Sequence, residues 1–161
     1  MIRIRPVRDT DTEIIVSLNR AVEAVTSPMD TARCRELLSI ASYCLIAEEE
    51  GETLGFVLAM QQGDPYENGN FAWFGERLNN FIYIDRIVVA DFARSKGLGK
   101  ILYDHLAEEA RSQGKLMMAA EMDLVPRNDG SHRFHARYGF MQLGTRELDS
   151  GKVVSMQAVA L

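Results

Sequence analysis

The sequence has few cysteines and no long hydrophobic run. Its two cysteines, Cys34 and Cys44, are too few for a disulfide framework and lack CxxC spacing, so we expect two reduced thiols. No apolar stretch approaches the roughly 20 residues of a membrane-spanning helix. The opening residues MIRIRPVRD also lack the apolar core of a signal peptide. We therefore expect a cytoplasmic protein with no membrane partner.

An excess of positive charge is also absent. The 18 basic side chains are outnumbered by 23 acidic ones, which gives a net charge of −5. Because nucleic-acid binding relies on a broad cationic surface, we expect no nucleic-acid partner. The chain has 161 residues, of which 47% are hydrophobic, and it contains no repeat or low-complexity linker. This composition predicts one folded domain over residues 1–161.

Hydrophobic periodicity predicts an α/β (α+β) fold with the element order β-α-α-β-β-β-α-β-α-β-β. Residues 81–90, 97–111 and 116–121 are predicted as strand, helix and strand, an arrangement that makes those two strands parallel. The remaining strands are predicted to form hairpins. The whole is then a mixed sheet with helices on both faces.

Three boundaries depend on local signals. Thr10, with an acid three residues later, has the pattern of a capping box for a first helix whose apolar spacing continues to Val25. Ser27-Pro28 has the pattern of an N-cap with proline at the first helical position, which predicts that a second helix begins there. Residues 61–80 are predicted to form a long polar loop that contains four aromatic side chains.

The segment RSKGLGK at 94–100 joins a buried strand to the start of a helix. The first N–H groups of a helix have no internal partners, and the helix dipole places about half a positive charge there. The two glycines would let an anion approach the backbone closely, and the basic side chains add countercharge. A pyrophosphate suits this arrangement. The residues concerned are Arg94, Ser95, Lys96, Gly97, Leu98, Gly99 and Lys100.

Other interpretations of these glycines remain open. No GxxxxGK followed by Ser or Thr occurs, so a Walker A loop is excluded. A dinucleotide fingerprint would need a third glycine where Leu102 stands, although Glu121 lies about twenty residues further on, where a ribose-binding acid is expected. The segment could also be a strand-to-helix turn that binds nothing.

Two motifs resemble those of the GNAT N-acetyltransferase superfamily. The stretch IVVADFARSKGLG at 87–99 is similar to the family's coenzyme A motif, with Asp91 where the family often has proline. Asn128, followed by FHARYGF at 134–140, is similar to the family's Asn … Leu-Tyr-x-x-x-Gly-Phe signature. The resemblance extends over nearly the whole chain. It implies a mostly antiparallel sheet of about seven strands with one splayed parallel pair.

The resemblance also implies acetyl-CoA as co-substrate. Backbone amides of 94–100 would then hold the pyrophosphate, and the strand at 87–89 would offer backbone groups to the pantetheine arm. The Val89 N–H is the implied donor to the thioester carbonyl, where charge develops. The remaining residues expected to bind the cofactor are Ile87, Val88 and Asn128.

The family's usual proton donor is a Tyr four residues before the signature glycine, and that position is His135 here. His135 could donate a proton through its imidazolium, hold a water, or have only a structural role. Tyr138 is expected to be a packing residue. His132 and His135 have i,i+3 spacing, but no acidic or cysteine partner completes a metal site, so we expect no metal.

Strict alternation along the strand puts Tyr83 and Asp85 on one face, together with Ile87 and Val89, and Arg86 on the other. Asp85 falls where many members of the family carry an acidic residue, so the resemblance implies that it could bind the acceptor ammonium or pass its proton through water. Tyr83, on the same face, is the second catalytic candidate on this strand. An ion pair between Asp85 and Arg86 is the structural alternative.

Trp73 and Tyr66, in the predicted loop, are candidates for the acceptor wall, and Glu121 is a second acidic candidate. Packing within the loop, a homodimer contact and a solvated strand end are the alternatives. The resemblance implies direct acetyl transfer to a primary amine of a small molecule. A protein N-terminus is the second acceptor class. A CoA-binding sensor module without catalysis is the alternative from another functional class.

Overall fold

The computed structural model describes residues 1–161, and its sheet confirms the predicted fold class. Seven strands follow the order β1-β2-β3-β4-β5-β7-β6, and only β4 and β5 are parallel. The elements are β1 (Arg3–Pro6), a 3₁₀ turn (Asp9–Asp11), α1 (Thr12–Arg20), α2 (Thr31–Ile40), β2 (Tyr43–Glu49), β3 (Glu52–Gln61), α3 (Gly69–Gly75), β4 (Phe81–Val89), a second 3₁₀ turn (Asp91–Lys96), α4 (Leu98–Ser112), β5 (Met117–Val125), α5 (Asp129–Tyr138), β6 (Met141–Glu147) and β7 (Val153–Ala160).

Helices cover both faces of the sheet, as predicted. The helix α4 buries one apolar stripe, which includes Leu98, Leu102 and Leu106, against one face. The other face is covered by α1, α2 and α3, through residues such as Ile15 and Leu37. The strand β4 runs through the middle and contributes side chains to both cores. A strand buried on both faces reads as a nearly continuous apolar run, which explains the sequence of residues 81–90.

The predicted boundaries on the α1–α2 side are wrong. The helix α1 ends at Arg20, and α2 begins at Thr31 behind Asp30, whose carboxylate accepts a hydrogen bond from the Arg33 amide at 2.7 Å. The capping pattern at Thr10 is replaced by a 3₁₀ turn in which Asp11 accepts from the Arg8 amide at 2.6 Å. Asp11 lies here because it forms an ion pair with Arg5, six residues earlier on β1, which the capping pattern does not reveal.

The segment 61–80 is not simply a loop. It contains α3, which begins after Asn68, and the Asn68 side chain accepts from the amides of Asn70 and Phe71 at 2.9 and 3.0 Å. Phe71 and Phe74 are buried in the core beside β4. A helix of seven residues gives too short a periodic signal to be read from sequence, and tertiary burial of its two phenylalanines stabilises it instead.

The parallel strands β4 and β5 separate soon after they meet. Their register is Phe81 with Met117, Ile82 with Met118 and Tyr83 with Ala119. Both strands then continue without pairing to each other. This separation confirms the splayed pair that the resemblance implied, and it leaves backbone groups of both strands facing an open gap.

Candidate active site

A single cleft of about 1160 Å³ occupies the gap between β4 and β5. One end lies at the start of α4, where Gly97, Leu98 and Gly99 line it. The other end is lined by side chains of α3, β6 and the segment before α2, including Asn70 and Arg146. We call these the α4 end and the α3 end. The cleft passes through the point at which the strands separate.

The start of α4 offers amides without helical partners. The first hydrogen bond of the helix is donated by the Ile101 amide to the Gly97 carbonyl at 3.2 Å, and no side chain caps the helix. The amides of Leu98, Gly99 and Lys100 precede this bond and remain available. Gly97 has φ +69°, a left-handed conformation that favours glycine, and its missing Cβ leaves open space. This end of the cleft fits a diphosphate.

Different physical reasons explain the glycines at positions 97 and 99. A Cβ on Gly99 would lie 3.0 Å from ring carbons of Phe134, so this position is small because α4 packs closely on α5. Gly99 also lines the cleft, so this packing is a second reason for a glycine there, and the expectation that Gly99 lets an anion approach stays a prediction.

The basic side chains around this turn are already paired on the surface. Arg94 and Lys100 line the cleft but contact Asp91 and Asp104 at 2.9 and 2.6 Å. Ser95 and Lys96 do not line the cleft, and Lys96 contacts Glu49 instead. The backbone amides are thus the more direct anion donors of this segment.

The end of β4 presents its backbone to the gap. The Ala90 amide donates to Leu54 of β3 at 2.8 Å, so it points away from the gap. Successive amides of a strand point in opposite directions, which directs the Val89 N–H into the cleft. Ile87, Val88 and Val89 all line the cleft.

A β-bulge at Asp85 overturns the predicted alternation of β4. Leu58 pairs with Arg86 and Ala59 with Ile84, which leaves Asp85 as the extra residue. An added residue shifts every later side chain to the opposite face. Asp85 and Arg86 therefore lie on the Tyr83 face, toward α1. Ile87 and Val89 pack on the α4 face.

Asp85 forms the ion pair that was the structural alternative. Its carboxylate accepts from Arg86 Nε at 3.3 Å and from the Tyr66 hydroxyl at 2.6 Å. Its side chain is 7% exposed. Arg86 is held further by Asn19 Oδ1 and the Ser27 carbonyl, at 3.1 and 2.6 Å. Although Asp85 lines the cleft, its oxygens already have protein partners.

Glu121 is the carboxylate in the cleft whose surroundings best suit it to accept a proton. It lies on β5 just beyond the separation of the strands, and it accepts from the Tyr83 hydroxyl at 2.5 and 2.9 Å and from Asn70 Nδ2 at 3.0 Å. Burial raises the pKa of Glu121 to about 7, and the nearby negative charge of Asp85 acts in the same direction. A carboxylate with this pKa can take up a proton near neutral pH.

His135 is buried and fully hydrogen-bonded. Its Nδ1 contacts the Ser131 carbonyl at 2.8 Å, and because a carbonyl only accepts, Nδ1 carries the proton. Its Nε2 then accepts from the Tyr103 hydroxyl at 2.8 Å. Burial lowers the pKa of His135 to about 4. The ring is neutral at pH 7, so the geometry does not support proton donation by an imidazolium.

The structure also places four other residues considered in the sequence analysis. Asn128 lines the cleft and caps α5, because its side-chain oxygen accepts from the Ser131 amide at 3.2 Å. Tyr138 packs beside Phe140 and donates to Asp104 at 2.8 Å. Tyr66 lines the cleft, whereas Trp73 lies outside it.

Trp73 packs instead on Arg77, whose guanidinium carbon is 3.7 Å from the ring centroid, and on Gly144. This packing joins α3 to β6. No group of three or more His, Cys, Asp or Glu side chains forms a metal-like cluster. None of the helices has both the length and the apolar character to cross a bilayer.

Comparison with known proteins agrees with this geometry. The family model described as the acetyltransferase (GNAT) family matches residues 12–140. The chain belongs to the GNAT acetyltransferase family. No curated protein gives a significant match.

Among solved structures, the GNAT domain is similar to Ard1 from Thermoplasma volcanium, with 17% identity, a TM-score of 0.81 and coverage of 99% of this chain and 97% of that one. It is similar to ribosomal-protein-alanine N-acetyltransferase from Brucella melitensis, with 23% identity, a TM-score of 0.76 and 99% coverage of both chains. It also resembles yncA from Salmonella typhimurium, solved with its cofactor acetyl-CoA, with 23% identity, a TM-score of 0.72 and coverage of 100% and 94%. These identities show a shared fold.

The GNAT domain has the features that acetyl-CoA requires. Unpaired amides at the start of α4 suit a diphosphate, and the unpaired β4 edge suits an extended amide-containing arm. Sequence reasoning missed Asn70, Tyr103 and Arg146 as cleft residues. Tyr103 could have been found as the one tyrosine on the apolar stripe of α4. No local signal marks Asn70 or Arg146, because the fold alone brings α3 and β6 together.

Proposed function

We propose that this protein transfers the acetyl group of acetyl-CoA directly to a primary amine of a small molecule. Acetyl-CoA, when bound, supplies an activated acetyl thioester. One observation carries the proposal: amides suited to a diphosphate and a carboxylate with a pKa of about 7 lie in the same cleft. A carboxylate with this pKa at the point where the strands separate favours an enzyme over a binding module without chemistry.

Glu121 is proposed as the base. An alkyl ammonium has a pKa above that of Glu121, so only a small fraction of the amine is neutral near pH 7, and a nearby acceptor must take the proton. Glu121 takes the proton of the ammonium, directly or through water, and the neutral amine attacks the thioester carbonyl. As the C–N bond forms and the C–S bond breaks, the second amine proton passes to the departing sulfur, which leaves as the thiol. Tyr83 and Asn70 hold the carboxylate in position.

The Val89 N–H is proposed to donate to the oxygen on which charge develops, an effect of roughly 3–4 kcal/mol in comparable sites. The leaving thiol has a pKa of about 8.5, so it can depart without a strong acid at neutral pH. We therefore propose that His135 has a structural role, with its ring held by Tyr103 and Ser131, and that it is not the proton donor. Asp85 is proposed to hold Tyr66 and Arg86 in the acceptor wall.

The shape of the α3 end supports a small acceptor. Arg146 of β6 donates to Asn70 of α3 at 2.5 Å, and Trp73 packs on Gly144 beside this contact. These contacts close one side of the cleft, whereas a peptide acceptor needs an open groove. The fold shared with a ribosomal-protein-alanine N-acetyltransferase keeps a protein N-terminus as the second candidate acceptor.

The test measures thiol release from acetyl-CoA with small amines and with peptides of free N-terminus, and it compares the wild type with Glu121→Gln. The glutamine keeps the size of Glu121, and its amide can still bond to Tyr83. We expect turnover with a small amine and a fall of about 10²–10⁴-fold in Glu121→Gln, with unchanged acetyl-CoA affinity by calorimetry.

Three results would contradict the proposal. Peptides as the preferred substrates would assign a protein acceptor. Acetyl-CoA binding without turnover on any amine would indicate the sensor. Absence of affinity for acetyl-CoA, with affinity for NAD, would indicate a dinucleotide site.

A further inference from the structure

The α3 end of the cleft holds a guanidinium without an acidic partner. Five arginines line the cleft, and three of them are paired with carboxylates: Arg33 with Glu36, Arg86 with Asp85 and Arg94 with Asp91. Arg137 and Arg146 have no such pair. Arg137 lies on α5, and Arg146 is the unpaired one beside the proposed base.

The guanidinium of Arg146 is held in place by contacts with the first residues of α3. Its Nη1 donates to Asn70 Oδ1 at 2.5 Å, and its Nη2 lies over the first residue of α3, Gly69. A Cβ on Gly69 would be 2.6 Å from Nη2, so only glycine leaves room for the guanidinium. Gly69 does not have a left-handed φ, so space explains this glycine and backbone conformation does not.

Asn70 joins this guanidinium to Glu121. A guanidinium only donates and an ionised carboxylate only accepts, so the orientation of the Asn70 amide is fixed: Oδ1 faces Arg146, and Nδ2 faces Glu121 at 3.0 Å. The remaining donors of Arg146 have no protein acceptor. A positive group that can bind an anion and a carboxylate that can bind an ammonium are thus held side by side.

Their separation restricts the acceptor. Two hydrogen bonds of 3.0 and 2.5 Å and one amide group, about 2.3 Å across, join the two charged groups. The bonded atoms of Glu121 and Arg146 are therefore no more than about 8 Å apart. Two charge-assisted hydrogen bonds of about 2.8 Å each use most of this span. At most about 2 Å remains on a straight line, and slightly more when the hydrogen bonds meet the acceptor at an angle, which fits the short distance between the nitrogen and the nearer carboxylate oxygen of an α-amino acid.

We propose that the acceptor is an α-amino acid, whose carboxylate binds Arg146 while its amino group faces Glu121. This inference rests on the proposed acetyltransferase function, and it adds the substrate class. The bidentate geometry of a guanidinium matches a carboxylate. Arg146 is a binding residue in this scheme, and Asn70 and Gly69 position it.

The test compares α-amino acids with their amides as acceptors of acetyl from acetyl-CoA. An amide differs from its amino acid only by the missing anion, and its amine has the lower pKa, which favours reaction of the amide at a site that ignores the anion. We expect the wild type to prefer the acids. In Arg146→Gln, kcat/KM for the acids should fall about 10–100-fold, the range for a lost hydrogen bond to a charged group, with little change for the amides.

Two further variants separate binding from folding. Gly69→Ala displaces only the flexible end of Arg146, so KM for the acids should rise while the melting temperature stays near that of the wild type. Arg33→Gln removes a cleft-lining arginine that has its own acidic partner, and it should leave the preference unchanged.

The outcomes distinguish the two proposals. Equal use of acids and amides by the wild type, or an equal loss on both in Arg146→Gln, would overturn the amino-acid assignment and leave acetyl transfer intact. If no amine of either kind is acetylated by well-folded protein, the acetyltransferase proposal fails, and the amino-acid assignment fails with it.

Discussion

At the scale of single residues, the chemistry depends on how each titratable group is surrounded. Burial of Glu121 and the nearby carboxylate of Asp85 favour the protonated form and raise its pKa to about 7, although the hydrogen bonds from Tyr83 and Asn70 act in the opposite direction. Burial lowers the pKa of His135 to about 4, although the hydrogen bond to the Ser131 carbonyl acts in the opposite direction. Burial therefore raises the pKa of the Glu121 carboxyl group and lowers the pKa of the His135 imidazole, because it disfavours the charged form of each.

The first prediction is the pH dependence of catalysis. Because Glu121 accepts a proton only when ionised, kcat/KM should rise with pH through an apparent pKa near 7 and level off above it, apart from the ionisation of the amine. Steady-state rates from pH 5.5 to 9 measure this profile. In Glu121→Gln the inflection near pH 7 should disappear. Its persistence in that variant would assign it to another group.

The second prediction concerns Tyr103. Tyr103→Phe leaves the buried Nε2 of His135 without a donor and should lower the free energy of unfolding by about 1–3 kcal/mol, with kcat within a few-fold of the wild type. Urea denaturation and steady-state kinetics measure the two effects. The control is Tyr43→Phe, which removes a donor to Gln113 on the side remote from the cleft and should cost less than 1 kcal/mol. A hundredfold loss of kcat with unchanged stability would instead make Tyr103 the proton donor.

At the scale of elements, the cleft exists because β4 and β5 stop pairing after three residue pairs. The bulge at Asp85 lies just beyond that point and turns Asp85 and Arg86 to the α1 side. The last part of β4 then faces the cleft with backbone groups, and α4 begins directly after the turn that follows it. The geometry of the strand end thus positions both the proposed oxyanion donor and the diphosphate site.

The third prediction concerns the start of α4. Gly97→Ala places a Cβ in the left-handed region at φ +69° and should lower the free energy of unfolding by about 1–2 kcal/mol. Any relaxation of the turn also moves the free amides, so the Kd for CoA should rise about tenfold or more.

Gly114→Ala is the matched control, because Gly114 follows the other end of α4 with φ +78° and equally open space. It should lose similar stability and keep its CoA affinity by calorimetry. Equal CoA affinity in both variants would contradict the assigned role of the turn.

At the scale of the whole molecule, a buried ion-pair network fastens the first strand to the sheet and to α1. Arg5 contacts Asp11 at 2.8 Å and Glu48 at 2.9 Å, and the side chains of Arg5 and Asp11 are only about a tenth exposed. The hydrogen bond from Arg5 lowers the pKa of Asp11 below its usual value. This network secures α1, on which Asn19 helps to hold Arg86 beside the cleft.

The fourth prediction is the cost of breaking that network. Arg5→Met leaves Asp11 buried without its cation and should lower the free energy of unfolding at pH 7 by about 3 kcal/mol. Since the folded-state pKa of Asp11 is depressed, its contribution is present above the unfolded value near 3.9 and is lost as the pH falls through the folded value. The difference in the free energy of unfolding between variant and wild type should therefore shrink below about pH 4.

The control is Arg3→Met, which removes an exposed arginine from the same strand and should lower the free energy of unfolding by less than about 1 kcal/mol. Urea denaturation at pH 7 and at acid pH measures both, and an equal loss in the two variants would contradict the role of burial.

Much of the fold could be predicted because its signals are local. The alternating strands, the apolar stripe of α4 and the glycine turn at 94–100 are contiguous in sequence, and two motifs placed the chain in the right family. The errors fall where tertiary contacts override local signals. Asp11 turns toward Arg5, and two buried phenylalanines hold α3 in a segment that reads as polar loop.

The sequence by itself thus determined the order of the elements other than α3, the parallel pair and the amides that suit a diphosphate, since each follows from neighbours along the chain. Only the tertiary structure showed which carboxylate is surrounded in a way that suits the proposed base and which residues lie beside it. Glu121 meets Tyr83 across 38 residues and Asn70 across 51, and Asn70 meets Arg146 across 76. A pKa depends on desolvation and on nearby charges, so it is set only when the chain has folded and brought these distant residues together.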